Sequence, residues 1–250
     1  MRVLHYNIFD GFGGSSRATA RFVASLREQA VEVLMLNEYR DESGLGEALS
    51  GLGFDHHVIN RHHRSANRAA LFSKYPFARV LPIPANARLA AAVIEGVHVV
   101  AYHASPHVVA SVTRELAEVL AMLADAERVL LCGDLNSLSR NDREVLGYGR
   151  LTDSAAMARY RSEDGLSFSV MDAFERAGYI DNRGMSEPHT VPTARGRANE
   201  QGARLRLDYA LSKNLPVTSV EVLREPPFER LSDYFPLRLG VGPAQPMKNQ

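Results

Sequence analysis

Cysteine is almost absent from this 250-residue chain: Cys132 stands alone, so no internal disulfide framework can staple the fold. Tryptophan is missing altogether, which removes one favoured stacking side chain, although nine tyrosines and ten phenylalanines remain. Neither sign of charge is in excess, since Lys+Arg and Asp+Glu both number 29. That balance gives no global field to draw in nucleic acid, while leaving room for a local basic patch. No apolar run approaches the roughly eighteen residues that span a bilayer. The opening residues MRVLHYNIFDG put charged and polar groups where a signal peptide needs its apolar stretch. No repeat, linker or low-complexity block divides the chain. These absences lead to the expectation of a cytoplasmic protein with one domain over residues 1–242 and a tail at 243–250, with no membrane contact and no obligate protein partner.

What is present is a large apolar fraction, 45% of residues, arranged in short runs that alternate with helical periodicity. RVLHYNI (2–8) and VEVLMLN (31–37) read as strands. Between them a Ser cap precedes a segment with Ala18, Phe22, Val23, Leu26 and Ala30 on one helical face. FDHHVIN, AALFS, FARVLPI, ARLAAAVIEG and VHVVAYHAS follow with little space for helices, as in an antiparallel meander. Residues 107–127 predict a helix with Val108, Val112, Leu116, Val119, Leu120 and Leu123 on one stripe. RVLLCGDLN then predicts a buried strand, SVMDAFERAGY a short helix, and ARLRLDYALS, VTSVEVL and FPLRLGV three more strands. Residues 184–203 read as a long loop. Helix-flanked strands in both halves, with meanders between, predict an α/β fold of two packed mixed sheets with helices outside.

Several strands end in groups that a hidden strand end has little use for: Asn7, Glu38, His103, Asp134 and Asn136, with Asp208 inside LRLDYAL and Asp233 before the last strand. Charged side chains are rarely buried unless paired or bound to a metal, and strand ends where loops converge are where sites are built. Each group singly has an ordinary explanation, such as a turn-forming Asn or an Asx turn at Asp134 and Asn136. Together they form an oxygen-rich donor set that suits Mg²⁺ or Mn²⁺. Zinc is less suited, because there is one cysteine, and Pro106 breaks the helix turn that would align His103 with His107.

The ordered stretches LHYNIFDG, VLMLNEYR, NRAALFSKYPF, VVAYHASPH, LLCGDLNS, RLRLDYALS and LSDYFPLRL resemble the motif series of the endonuclease/exonuclease/phosphatase (DNase I-like) family across residues 2–239. The resemblance implies a four-layered α/β sandwich and metal-dependent phosphoester hydrolysis with Mg²⁺, or Mn²⁺, as cofactor. By the same resemblance Glu38 is the principal metal ligand, with Asp233 and the Asn7 amide beside it. His103 would contact phosphate, Asp134 would orient or deprotonate the attacking water, and Asn136 would hold substrate. Asp208 would be the carboxylate that steers the histidine of a terminal Ser-Asp-His motif.

Here that motif reads Ser-Asp-Tyr, with Tyr234 in the histidine position and its surroundings intact. An imidazole paired with a carboxylate can become a cation facing phosphate; a phenol stays a neutral donor near pH 7. Three readings follow: an enzyme in which Tyr234 donates a neutral hydrogen bond, helped by His103, His107 or an arginine; a weakened or inactive relative that binds a phosphorylated ligand or nucleic acid; or a substitution that disarms the site.

Arg61, Arg64, Asn67 and Arg68 lie in NRHHRSANR (60–68), and Arg204 and Arg206 lead into Asp208. Arginine forks suit phosphate oxygens, so these residues and His107 are the expected substrate contacts, although solvated charged loops would read the same way. The expected substrate is a phosphorylated small molecule or a short nucleic acid.

Overall fold

A computed structural model describes residues 1–40, 42, 44–61, 66–106, 109–142, 148, 160–162, 165–184, 188–196 and 204–243. The strands in chain order are β1 (Arg2–Asn7), β2 (Val33–Tyr39), β3 (His56–Ile59), β4 (Arg68–Ser73), β5 (Arg79–Val80), β6 (Leu89–Ile94), β7 (Val97–Tyr102), β8 (Val129–Asp134), β9 (Arg161–Ser162), β10 (Gly165–Leu166), β11 (Ile180–Asn182), β12 (Asp208–Lys213), β13 (Val217–Val222) and β14 (Leu237–Val241). The helical segments are α1 (Phe9–Gly13), α2 (Ser16–Gln29), α3 (Leu45–Ser50), α4 (Val109–Met122), α5 (Ser169–Arg176) and α6 (Phe228–Leu231). None is long and apolar enough to cross a membrane among the described residues.

Two six-stranded mixed sheets, ordered β13-β14-β1-β2-β4-β3 and β11-β12-β8-β7-β6-β5, pack face to face. Strand alternation decides which residue goes to which layer. In β1 Val3 faces the interlayer, while Leu4 and Tyr6 face outward. In β2 Val33 and Met35 face in, while Leu34 and Leu36 face out. The outward set meets Phe22 and Leu26 of α2, a helix capped by the Ser15 side chain, which accepts from Ala18 N at 3.2 Å. On the other side Val100, Leu131 and Tyr209 meet Leu116 and Val119 of α4 and Phe174 of α5. The result is the expected four-layered α/β sandwich.

The inter-sheet layer is built from Ala90, Ala92, Ala101, Ala210, Cys132 and aliphatic neighbours, small enough for close approach of the sheets. Gly133 serves the same end within the second sheet: a Cβ there would lie 1.6 Å from Tyr102 O. Among the differences from the sequence reading, the strand expected over FARVLPI shrinks to Arg79–Val80, where Pro82 and Pro84 limit ladder bonds. The last expected strand begins two residues late, at Leu237, after Pro236.

Candidate active site

The inward-facing side chains turn from apolar to polar at one end of the sandwich. In β1 the series runs Val3, His5, Asn7. In β2 it runs Met35, Asn37. Ala101 leads to His103, Cys132 to Asp134, and Ala210 back to Asp208. These strand ends lie together because β1 runs parallel to β2, β7 parallel to β8, and β12 antiparallel to β8 with Asp208 directly opposite Asp134. The polar groups therefore cap the dry interlayer.

Glu38 would point away from this row by simple alternation. The β2–β4 register shifts between Leu36 and Tyr39, and Glu38 takes a left-handed φ of 59°. A bulge of this kind re-aims a side chain, and left-handed geometry at a non-glycine residue costs on the order of 1–3 kcal/mol, so the surroundings must hold it. They do so by hydrogen bonds. Glu38 Oε1 accepts from Asn7 Nδ2 at 3.3 Å, and Oε2 from Asp10 N at 2.8 Å and Asn67 Nδ2 at 3.2 Å. Asp10 N is presented by α1, where Asp10, Gly11 and Phe12 are all left-handed. Asn67 Oδ1 in turn accepts from Arg40 Nε at 3.0 Å.

Asp134 is the second hub. Its Oδ1 accepts from Asn136 N at 2.9 Å and its Oδ2 from Asn7 Nδ2 at 3.1 Å; His103 Nε2 stands 3.7 Å from Oδ2, and the Tyr234 hydroxyl donates to the same carboxylate. Asn7 is thus wholly buried and joins Glu38 to Asp134, while its Oδ1 takes Phe9 N at 3.2 Å. Burial and the neighbouring Asp208 push the Asp134 carboxyl well up. Burial likewise raises Glu38, against the Asp10 and Asn7 donors and the Arg88 charge, which lower it. Asp233 is raised to about 6, by burial and then by Glu38. The Tyr234 phenol is pushed far up by burial and by Asp134 and Asp208, so it is a neutral donor.

Ser232 closes the site from β14's side. Its hydroxyl donates to Asn7 O at 2.7 Å, with Asp233 Oδ1 at 3.2 Å as the alternative acceptor of the same proton, and accepts Tyr234 N at 3.3 Å. Thr190 Oγ1 takes both Leu207 N and Asp208 N, at 3.1 and 3.2 Å, and fixes the entry into β12.

The structure brings Asn7, Glu38, Asn67, His103, Asp134, Asn136, Asp208, Asp233 and Tyr234 together. Arg206 is a correction. Its side chain is buried, with Nε on Asp142 at 2.7 Å and both terminal nitrogens on Asp181 at 2.8 and 2.6 Å, stacked over Tyr209. Its fork serves an internal ion network rather than a ligand. Asn67 belongs to the Glu38 cluster rather than to an outer rim. Arg68 is half-buried at the start of β4, paired opposite Tyr39. Arg61 is exposed beyond β3, and Arg204 is exposed on a cleft shared with His189, Arg224 and Phe235. Arg64 and His107 lie outside the described residues.

Sequence reasoning missed His5, whose Nε2 lies 2.8 Å from Asp208 Oδ1 with both side chains wholly buried. Strand alternation carried the signal, since His5 stands two positions before Asn7 on the same face. Asn37, whose Oδ1 accepts Asp134 N at 2.9 Å across the sheets, carried it too.

The donor set fits a hard divalent cation. The Glu38 charge raises the Asp233 carboxyl, and among the described residues no group of three or more His, Cys, Asp or Glu side chains is arranged to hold a metal, so Glu38 and Asp233 could supply one or two ligands at most. One or two carboxylates, completed by water and substrate oxygens, is how Mg²⁺ is ordinarily held.

The family model described as Endonuclease/Exonuclease/phosphatase family matches residues 4–233. No curated protein matches the chain. Among solved structures, a 3'-5' exonuclease (NExo) from Neisseria meningitidis superposes with a TM-score of 0.70 at 19% identity, covering 96% of this chain and 99% of that one. A 3' phosphatase NExo from Neisseria, bound to product DNA hairpin, gives 0.70 at 18%, covering 97% and 99%. An AP endonuclease from Archaeoglobus fulgidus gives 0.65 at 17%, covering 96% and 99%. At these identities the structural matches establish the fold alone.

Proposed function

The chain belongs to the Endonuclease/Exonuclease/phosphatase family, and from that premise we propose that it is a divalent-metal-dependent phosphoester hydrolase. The observation that carries this reading is the convergence of Glu38, Asp134, Asp208 and Asp233 at one end of the sandwich, with burial raising Glu38, and burial together with repulsion inside the set raising Asp134 and Asp233. Such a set is costly to a fold and useful to a cation.

Glu38 and Asp233 would hold Mg²⁺ or Mn²⁺, with Asn7 orienting Glu38. When bound, the ion would polarise a phosphoryl oxygen and offset charge on the leaving oxygen. Asp134, whose carboxyl burial and Asp208 push up and so make more basic, positions a water for in-line attack and takes its proton as the new P–O bond forms and the ester P–O bond breaks. Asn136 and His103 would donate to the equatorial oxygens, and the neutral Tyr234 hydroxyl would join them only by leaving Asp134. The names of the structural neighbours, a 3'-5' exonuclease, a 3' phosphatase and an AP endonuclease, favour a short nucleic acid over a free small phosphoester.

One feature favours a second reading, a phosphate-binding relative without turnover: the Tyr234 hydroxyl already occupies Asp134. A single experiment separates the two. Purified protein is assayed with Mg²⁺, Mn²⁺ or EDTA on single-stranded, duplex, abasic and 3'-phosphorylated DNA, RNA and small phosphoesters, beside Glu38→Gln and Asp134→Asn. Metal-dependent product that both variants lose supports hydrolysis. Ligand-induced thermal stabilisation with no product from any substrate supports the binding module.

A further inference from the structure

Tyr234 is neutral, and phosphoryl transfer gathers negative charge, so a side-chain cation elsewhere in the site would add to what a metal supplies. We propose that Arg88 is that cation, and that its guanidinium binds the non-bridging oxygens of the substrate phosphoryl group. The proposal rests on the phosphoester reading above and adds to it a ligand-contacting residue.

Arg88 precedes β6, in the turn after Ala87, and is half-buried. Its Nη2 donates to Ala104 O at 2.6 Å, and the same carbonyl accepts Asn136 Nδ2 at 3.0 Å. The guanidinium and the Asn136 amide therefore meet on one oxygen. That oxygen is held in the site by its own chain: Ala104 N donates to Asp134 O at 2.9 Å, and His103 N donates to Arg88 O at 2.8 Å. Arg88, His103, Asp134 and Asn136 are thus one hydrogen-bonded patch. Only Nη2 of the guanidinium has an acceptor among the described residues. A guanidinium has five N–H groups in a planar fork, so Nε and Nη1 remain available for a bidentate contact with phosphate.

The guanidinium shares the Ala104 carbonyl with Asn136, whose backbone N in turn donates to Asp134 Oδ1. Behind it lies Glu115 of α4, buried, whose Oε1 accepts Arg88 N at 3.5 Å and Oε2 Ser105 N at 3.1 Å. Glu115 thus anchors the backbone on both sides of the patch and attracts the guanidinium. Other arginines near this end have visible partners: Arg206 holds Asp142 and Asp181, Arg40 holds Asp10 and Asn67, and Arg195 Nη1 donates to Leu231 O at 2.9 Å beneath the Phe9 ring.

The competing role for Arg88 is a structural counter-charge to Glu115, and the test separates the two. Inorganic phosphate is titrated calorimetrically into the parent and into Arg88→Met, Arg88→Lys and the double variant Arg88→Met/Glu115→Gln, which removes both charges should the single variant fail to fold. The same proteins are assayed with Mn²⁺ on the best substrate found above. The expectation is a loss of at least about tenfold in phosphate affinity and of about 10²-fold in kcat/KM for Arg88→Met and for the double variant, with partial recovery in Arg88→Lys, which keeps the charge but not the fork. Phosphate affinity within about twofold of the parent in a folded Arg88→Met or double variant overturns the proposal, on the scale of one charge-assisted hydrogen bond. A parent that binds phosphate through Arg88 but hydrolyses nothing overturns the hydrolase reading and leaves the cation in place. A parent that hydrolyses, with Arg88→Met unchanged in rate and phosphate affinity, does the reverse.

Discussion

His5 Nε2 lies 2.8 Å from Asp208 Oδ1, and neither side chain is exposed to solvent. Asp208 stands directly across the β8–β12 ladder from Asp134, so two carboxylates share a dry strand end. The His5 donor compensates one of them, while Tyr234, Asn7 and Asn136 donate to the other. The imidazole partner of Asp208 thus comes from β1, not from the strand entry at position 234.

Removing that donor should be expensive. His5→Ala leaves a wholly buried Asp208 oxygen without its partner, and stranding a buried polar group costs about 1–3 kcal/mol, more where it is charged. His5→Gln, whose amide can reach the same oxygen, should recover a large part of this. Urea unfolding of the three proteins decides it: a His5→Ala variant within about 1 kcal/mol of the parent, the scale of an ordinary hydrogen bond, would show that the contact carries no compensation.

The sandwich was legible in the sequence because strand alternation and the helical stripe are local signals. Val3 against Leu4, and Val33 and Met35 against Leu34 and Leu36, go to the two layers that their parity dictates. Most of the residues that come together in the candidate site were legible too, because polar groups closing apolar strands have few other uses. Contacts across the two sheets were not. His5 and Asp208 are 203 positions apart, and Asn37 and Asp134 are 97 apart. The bulge at Glu38 and the left-handed turn at Asp10–Phe12 were invisible as well, since neither residue type demands that geometry. Arg206 misled for a related reason: a charged side chain looks the same in sequence whether its partner is a ligand or Asp181.

That misreading has its own test. Arg206 holds Asp142 and Asp181 from a buried position, so Arg206→Ala should cost about 3–5 kcal/mol in stability by stranding Asp181 and leaving Asp142 with Arg183 alone. The KM of whatever fraction stays folded should be unchanged. A raised KM with parental stability would return Arg206 to the substrate contacts.

Asp233 gives the metal-free protein a pH signature. Its folded carboxyl sits at about 6, above the ordinary 3.8, through burial and the nearby Glu38. The folded form therefore holds its proton more tightly than the unfolded form, and stability falls as pH rises from about 4 to about 6. Asp233→Asn removes that penalty. Its stability in urea, with EDTA present, should exceed the parent's by about 1–2 kcal/mol at pH 7.5, discounted for partial exposure, and the advantage should vanish near pH 4. Mg²⁺ or Mn²⁺ should stabilise the parent at pH 7.5 and Asp233→Asn far less. An advantage independent of pH would mean that the carboxyl is not strained by its neighbours.

Tyr234→His restores the residue that the family resemblance leads one to expect, yet it should not restore a His–Asp pair. Asp208 Oδ1 is already held by His5 from inside the sandwich, and the Tyr234 hydroxyl is directed to Asp134 rather than to Asp208. An imidazole at position 234 would meet an engaged carboxylate and would leave Asp134 without its phenol. We therefore expect Tyr234→His to change kcat/KM by less than about tenfold, and Tyr234→Phe to lower it by about 10- to 10²-fold through loss of the donor alone. The double variant His5→Gln/Tyr234→His frees more of Asp208 and should exceed Tyr234→His by a measurable margin, an interaction that a double-mutant cycle reads directly. A gain of about 10²-fold or more in Tyr234→His alone, on the scale of a restored proton-transfer group, would mean that Asp208 is open to position 234 and that His5 is a bystander.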